Sequence, residues 1–241
     1  ITKGEGIIYE TAGALGKGER IFITAKLPHY IKVGNDDVIE QYLFLSTSHD
    51  GKESIQVAFT PIRIVCNNTL TAALRNCSNV VRIRHTSSAV DQLREAHKVM
   101  GMVNTLSPIL EQAFNQWAKT RITDEQVQRL IQIALAPGKE TLANIREGKP
   151  EENSATYRNQ VYSAFGYAMT SESQQLDTTK GTLFGAYNAI TGYFQNVKNY
   201  GSDEDKINSL FCGGLGQKRS QATFELCTEF SKHGADALAL N

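Results

Sequence analysis

The spacing of apolar residues changes once, near Ser88, and that change constrains the fold more than any other feature. Before it, apolar residues recur at every second position; after it, at every third or fourth. The first spacing marks strands and the second marks helices. A chain that makes its strands first and its helices afterwards does not build the alternating units of a parallel sheet. The expected class is therefore α+β: an amino-terminal antiparallel β-rich part followed by a mostly helical carboxy-terminal part. The boundary is placed between 1–88, which includes one short helix, and 89–241, packed on it; one continuous domain is the alternative.

Within the first part, Ile7, Ile8 and Tyr9 suggest a short strand, followed by a turn at Gly13, Gly16 and Gly18. Arg20 to Leu27 alternates cleanly, and Pro28 to Asp37 reads as a loop. Ile39, Leu43 and Leu45 share one face of the next strand while Tyr42 and Phe44 take the other, so this strand is expected to be covered on both sides. Asp50-Gly51 is a strong hairpin signal, because both central turn positions favour positive φ. Ile55, Val57 and Phe59 alternate after it. Pro61 removes a ladder donor and predicts a strand end or bulge. Asn67 or Asn68 is expected to cap a short helix buried through Leu70, Ala73 and Leu74. A last strand runs Val80 to Thr86, with Arg82 and Arg84 on one face.

Beyond Ser87 or Ser88 as N-cap, Ala89, Leu93, Ala96, Met100, Val103, Ser107, Leu110, Phe114 and Trp117 form a heptad-like stripe. Pro108 is expected to kink or split that helix. Thr123 with Gln126 makes a capping box for a helix buried through Val127, Leu130, Ile131, Ala134 and Leu135 and stopped by Pro137-Gly138. Lys139 to Asn153 reads as a polar surface loop. Ser154 opens a helix through Val161, Phe165 and Met169, and another spans Thr182 to Val197. Ser202 or Asp203 caps a short helix ending at Gly213, Gly214 and Gly216, and a last helix runs from about Gln217 to Phe230.

Basic and acidic residues balance at 25 each, and neither half departs far from neutrality, with 10 basic against 8 acidic before residue 89 and 15 against 17 after it. A dedicated DNA-coating protein would carry a strong positive excess. The four cysteines form no CxxC pair and read as free thiols of a reducing cytoplasm. No apolar run is long enough for a membrane span, and no membrane partner is expected. The chain opens at Ile1 rather than Met, so an upstream piece with any targeting signal is expected to be missing.

Several blocks resemble one family. ETAGALGKGERIFITAKL (10–27), the SHDG turn, TPIRIVCNNTLTAAL, RIRHT, GTLFGAYNAITGYF (181–194) and FCGGLGQKRSQA are similar to the phage/plasmid-like protein family, a domain of unknown function (932) carried by bacteria, prophages and plasmids. The resemblance implies a setting on mobile elements without an agreed activity. Members of the family often follow the Asn-Ala-x-Thr run with an acidic residue and later an Asp-His; this chain has Gly192, Gln195 and Asn196 at those places.

No catalytic constellation can be assembled. The five histidines form no HxH, HxxxH or HExxH pattern, and there is no Gly-x-Ser-x-Gly elbow. No metal and no cofactor are expected, and an enzyme ranks third among the functional classes. Gly213, Gly214 and Gly216 lead into Lys218 and Arg219, which suggests an anion-binding turn, although Gln217 breaks the Walker spacing and a plain helix connection explains the glycines equally. Arg82 and Arg84 share a strand face, and Arg63 is expected on a neighbouring strand. Arg63, Arg82, Arg84, Lys218 and Arg219 thus form a candidate nucleic-acid surface, against the alternative of a solvated face paired with acids. Tyr187, Tyr193 and Tyr200 offer stacking surfaces or, at helical spacing, core packing.

The first functional expectation is nucleic-acid-associated binding on a mobile element, with single-stranded DNA held or annealed during replication or recombination. The second is a structural or protein-interaction module without catalysis, a homo-oligomer or a host-interference factor. Leu106, Ile109 and Ala113, outside the main helix stripe, motivate it.

Overall fold

A computed structural model describes residues 7–15, 18–48, 55–63, 68–69, 80–83 and 88–240. As expected, the strands come first. β1 (Ile8–Leu15), β2 (Arg20–Val33), β3 (Asp37–Ser48) and β4 (Ile55–Arg63) pair in sequence order, all antiparallel. β5 (Asn68–Thr69) and β6 (Val80–Ile83) both pair with the far edge of β4, at its two ends. The Asp50-Gly51 turn, the expected helix through Leu70, Ala73 and Leu74, Cys66 and Cys77, and the end of the last strand at Arg84 to Thr86 lie outside the described residues.

Two prolines expected to end strands do not. β2 runs on through Pro28 to Val33, because the register shifts between Lys26 and Tyr30 and a bulge accommodates a residue without an N–H. Pro61 stays in β4 opposite Gln41, while the far edge there is paired with neither β5 nor β6 in the described register. Gly13 also lies within β1 rather than at a turn, with the Phe22 ring lying over it where a side chain would stand. β3 is covered on both sides as expected: Ile39 and Leu43 are buried on one face, Tyr42 and Phe44 on the other.

The first helix, α1 (Ala89–Lys119), is capped by Ser88, whose hydroxyl accepts from the Asp91 N–H. It packs across the sheet face that bears Leu43, Val57 and Phe59. The described buried stripe is Val99, Met102, Val103, Leu106, Leu110, Phe114 and Trp117. It differs from the expected stripe: Val99, Met102 and Leu106 join it, while Met100 is exposed and Ser107 only half-buried. Leu106 is 0% exposed and Met100 44%, so Leu106 belongs to the core and offers no free surface. The side chains of Ala89, Leu93 and Ala96 lie outside the description. Pro108 does not split the helix. Its lost bond and clash cost about 3 kcal/mol, less than the burial of Leu106, Leu110 and Phe114 at roughly 1.5–3 kcal/mol each.

α2 (Asp124–Leu135) has the expected capping box and all five expected buried residues. The polar stretch after it is not a loop: α3 (Lys139–Arg146) forms there, with Thr141 and Ile145 buried one turn apart and Arg129 donating to the Ile145 carbonyl at 2.9 Å. α4 (Ala155–Thr170) buries Tyr157, Val161, Ala164 and Ala168, leaving Met169 exposed. α5 (Leu183–Gly192) continues as a π-helical turn to Val197 and is buried on every side. α6 (Asp203–Phe211) and α7 (Leu215–His233) follow. Trp117, Phe114, Tyr187 and Phe224 meet at centroid distances of 5.0–6.4 Å and join α1, α5 and α7. No helix among the described residues is long and apolar enough to cross a membrane.

Candidate functional site

Directly paired residues of an antiparallel sheet point to the same face. One such row runs Gly13, Phe22, Ser46, Gln56, Arg82 across five strands. Arg82 is exposed at the end of it. Arg63 is paired with Ile39, in the rows of Val57 and Phe59, so by register it falls on the other face. Arg84 lies outside the described residues.

The Arg82 face is also where α6 docks. Phe22 stacks on Phe44 at 5.6 Å and Phe44 on Phe211, the last residue of α6, at 4.7 Å. Beside this stack, Arg20 donates to the Asn208 Oδ1 at 3.1 Å. The Asn208 carbonyl in turn accepts from the Gly214 N–H at 3.2 Å. A strand cation and the glycine turn are therefore joined through one residue. With two strand spacings between β3 and β6, Arg82 stands roughly 10–12 Å from Phe44 on that face.

The turn is a self-satisfied connection. The Gly213 N–H donates to Gln217 Oε1 at 2.6 Å, and the Gly216 N–H to Ser209 Oγ at 3.1 Å. Gly213 has φ +79°, the left-handed conformation that favours glycine after a helix. Lys218 is exposed, whereas Arg219 turns inward. Its guanidinium reaches the Ala134 carbonyl at 3.5 Å, one of the last of α2, where a cation offsets the negative helix end. Burial draws the Arg219 pKa below its ordinary value, against the opposing effect of the Tyr157 hydroxyl. Burial pushes Tyr157 up to about 12, with Arg129 and Arg219 opposing, so it stays a neutral donor to the Gln132 carbonyl at 2.7 Å.

The fold thus brings the glycine turn to the side of the sheet on which Arg82 is exposed and α6 docks, while Lys218 is exposed on α7, Arg63 falls by register on the other face, and Arg219 turns toward the end of α2. Of the tyrosines, Tyr187 and Tyr193 are buried, and Tyr200 donates to the Phe194 carbonyl at 2.8 Å. Arg20 and Asn208, 188 positions apart, are the members that sequence reasoning missed; no spacing rule links them.

Farther along the same face, Lys26 pairs with Glu40, which also accepts from the Tyr42 hydroxyl at 2.7 Å. Burial pushes the Glu40 carboxyl up, but hydrogen bonds from Lys26 and Tyr42 outweigh it and hold the group below the usual carboxylate range. Cys227 is buried and Cys212 half-buried, and burial raises the Cys227 pKa. Among the described residues no group of three or more His, Cys, Asp or Glu side chains is placed to hold a metal ion.

The expected departure near the Asn-Ala pair has a steric counterpart. A Cβ at Gly192 would lie 2.2 Å from the Tyr167 ring, so an acidic side chain there requires Tyr167 to move. Asn188 is fully buried and donates to the Phe184 carbonyl at 2.8 Å.

No curated protein and no solved structure matches this chain. A family profile described as Domain of unknown function (DUF932) matches residues 1–213. With that much of its length matched, the chain belongs to this family of uncharacterised domains.

Proposed function

We propose that the protein binds single-stranded nucleic acid along the sheet face that carries Arg82, as part of the replication or recombination of a phage- or plasmid-like element in a bacterial cytoplasm. The observation that supports this reading is the docking of α6, which links the glycine turn, through Asn208 and Arg20, to the sheet face where Arg82 is exposed. Phosphates would meet Arg82 and Lys218, and Gln56 in the same row would supply a neutral hydrogen-bonding partner. Neutral overall charge makes the affinity modest and confines it to low salt.

Fluorescence anisotropy of a labelled oligothymidylate at about 50 mM salt tests this. Binding should weaken with salt, with a log–log slope of about −0.7 per phosphate contact. Arg82→Glu and Lys218→Glu should each weaken binding and flatten that slope by about one contact, with melting unchanged. Lack of binding at this salt contradicts the reading.

A second reading, a protein-interaction module, is favoured by β1. Its outer edge pairs with nothing among the described residues, and it begins beside an exposed apolar run in which Ile8 is 59% and Tyr9 70% exposed. An open apolar edge is a template for strand addition. Sedimentation velocity should then show a dimer that Ile8→Lys with Tyr9→Lys dissolves, and a monomer at all concentrations counts against self-association.

A further inference from the structure

Away from the sheet face, α2 and α4 pack together and leave a groove of about 520 Å³ between them. That volume lies within the range of roughly 300–1,000 Å³ usual for ligand sites. Helical spacing builds the two walls. Gln128 and Gln132, four apart, line the groove from α2, and Arg158, Asn159 and Tyr162 line it from α4. Tyr157 and Val161 are buried beneath them.

Three features of this groove, each from different residues, define what it fits. The first is aromatic. Tyr162 is 80% exposed, and Phe165, one turn on, lines the groove half-buried. An exposed ring beside a cavity is a surface on which a flat heterocycle stacks. The second is hydrogen bonding: the amides of Gln128, Gln132 and Asn159 offer both donors and acceptors, as the edge of a nucleobase requires. The third is charge. Arg158 is exposed on the wall, and Arg129 and Arg219 lie close enough to the Tyr157 hydroxyl to act on its ionisation. Arg129 and Arg219 donate to the Ile145 and Ala134 carbonyls, and among the described residues none of the three arginines is paired with a carboxylate. An anion in the groove is therefore drawn by three cations that no acid offsets. Glu151 also lines the groove and acts in the other direction, but Lys149 is near enough to offset it in part.

A planar heterocycle with an attached anion matches all three features, and the volume suits one such unit rather than a strand. We propose that the α2–α4 groove binds a free nucleoside monophosphate, its base stacked on Tyr162 and its phosphate held by Arg158. The site is separate from the sheet face and does not rest on the reading given to that face.

Isothermal titration with adenosine monophosphate is the test, with adenosine and ribose 5-phosphate as comparisons at matched ionic strength. The nucleotide should bind saturably, and more tightly than adenosine, which lacks the anion, or ribose 5-phosphate, which lacks the base. Tyr162→Ala and Arg158→Gln should each weaken its binding by roughly tenfold. Both side chains are exposed, so the melting midpoint should not move. Arg82→Glu should leave nucleotide binding intact, and an oligodeoxyadenylate should not displace the nucleotide. Lack of saturable binding overturns the proposal, as does affinity no greater than that of ribose 5-phosphate or adenosine. Binding that neither Tyr162→Ala nor Arg158→Gln weakens places the ligand elsewhere and overturns it too. Displacement by the oligodeoxyadenylate overturns the assignment to a free nucleotide and makes the groove part of a strand-binding surface.

Discussion

α5 and β1 are the two extremes of this molecule. All ten residues of α5 are buried, and its sequence, LFGAYNAITG, contains no charge. Ile8 to Ala14 of β1 are all exposed except Gly13, although IYETAGAL is nearly as apolar. Similar composition therefore serves opposite purposes. α5 is held between α1, α4 and α7, so it can contribute stability but can touch nothing outside the chain without unfolding. Among the described residues β1 pairs with β2 alone, along one edge, and its exposed Ile8 and Tyr9 can meet a partner. The comparison separates a helical centre that keeps the fold from a sheet that presents surfaces.

The hardest test of the centre is Trp117→Ala, which removes the residue that joins α1, α5 and α7. It should cost about 3–5 kcal/mol in urea unfolding. A loss below about 1 kcal/mol would place the centre elsewhere. Leu106→Ala, under the sheet, should cost about 2–5 kcal/mol and shows whether sheet and helices unfold together, since a single coincident transition is expected by circular dichroism and fluorescence. Thr123→Ala should cost about 1 kcal/mol, by removing the capping box of α2.

Glu40 sharpens the contrast from the sheet side. Its carboxyl is held below the ordinary range when folded, so it stabilises the fold above the unfolded pKa, and that contribution is lost as pH falls through the folded value. Glu40→Gln should therefore flatten the acid limb of a stability–pH curve below about pH 4.3. An unaltered acid limb would show that the Lys26–Glu40–Tyr42 cluster does not form in solution. The smallest effect belongs to β1: Tyr9→Ser should change stability by less than about 0.5 kcal/mol. A larger loss would mean that the strand is covered.

Much of this division was legible in the sequence. The change of period at Ser88 gave the class, and Thr123 with Gln126 marked the start of α2 to the residue, because a capping box is local chemistry. The double burial of β3 could be read from Tyr42 and Phe44 alternating with Leu43 and Leu45. What escaped depends on partners distant in sequence. α3 forms in a polar stretch because α2 covers Thr141 and Ile145. Pro28 is tolerated because the β2–β3 register slips there. Arg63 looked equivalent to Arg82 until pairing fixed the parity of β4 against β6, and Arg219 looked exposed until the end of α2 supplied a carbonyl. The Gln174 amide nitrogen, buried without a partner among the described residues, has no sequence signature at all.

Hydrogen exchange with and without a saturating single-stranded oligonucleotide tests the separation most directly. The account requires added protection in β2, β6 and the α6–α7 turn, with α5 unchanged because it already exchanges only by global unfolding. Arg82→Glu should abolish that added protection while α5 keeps its slow exchange. Protection that appears instead in α2–α4, or an α5 that exchanges as fast as β1, would contradict the assignment of stability to the helical centre and binding to the sheet.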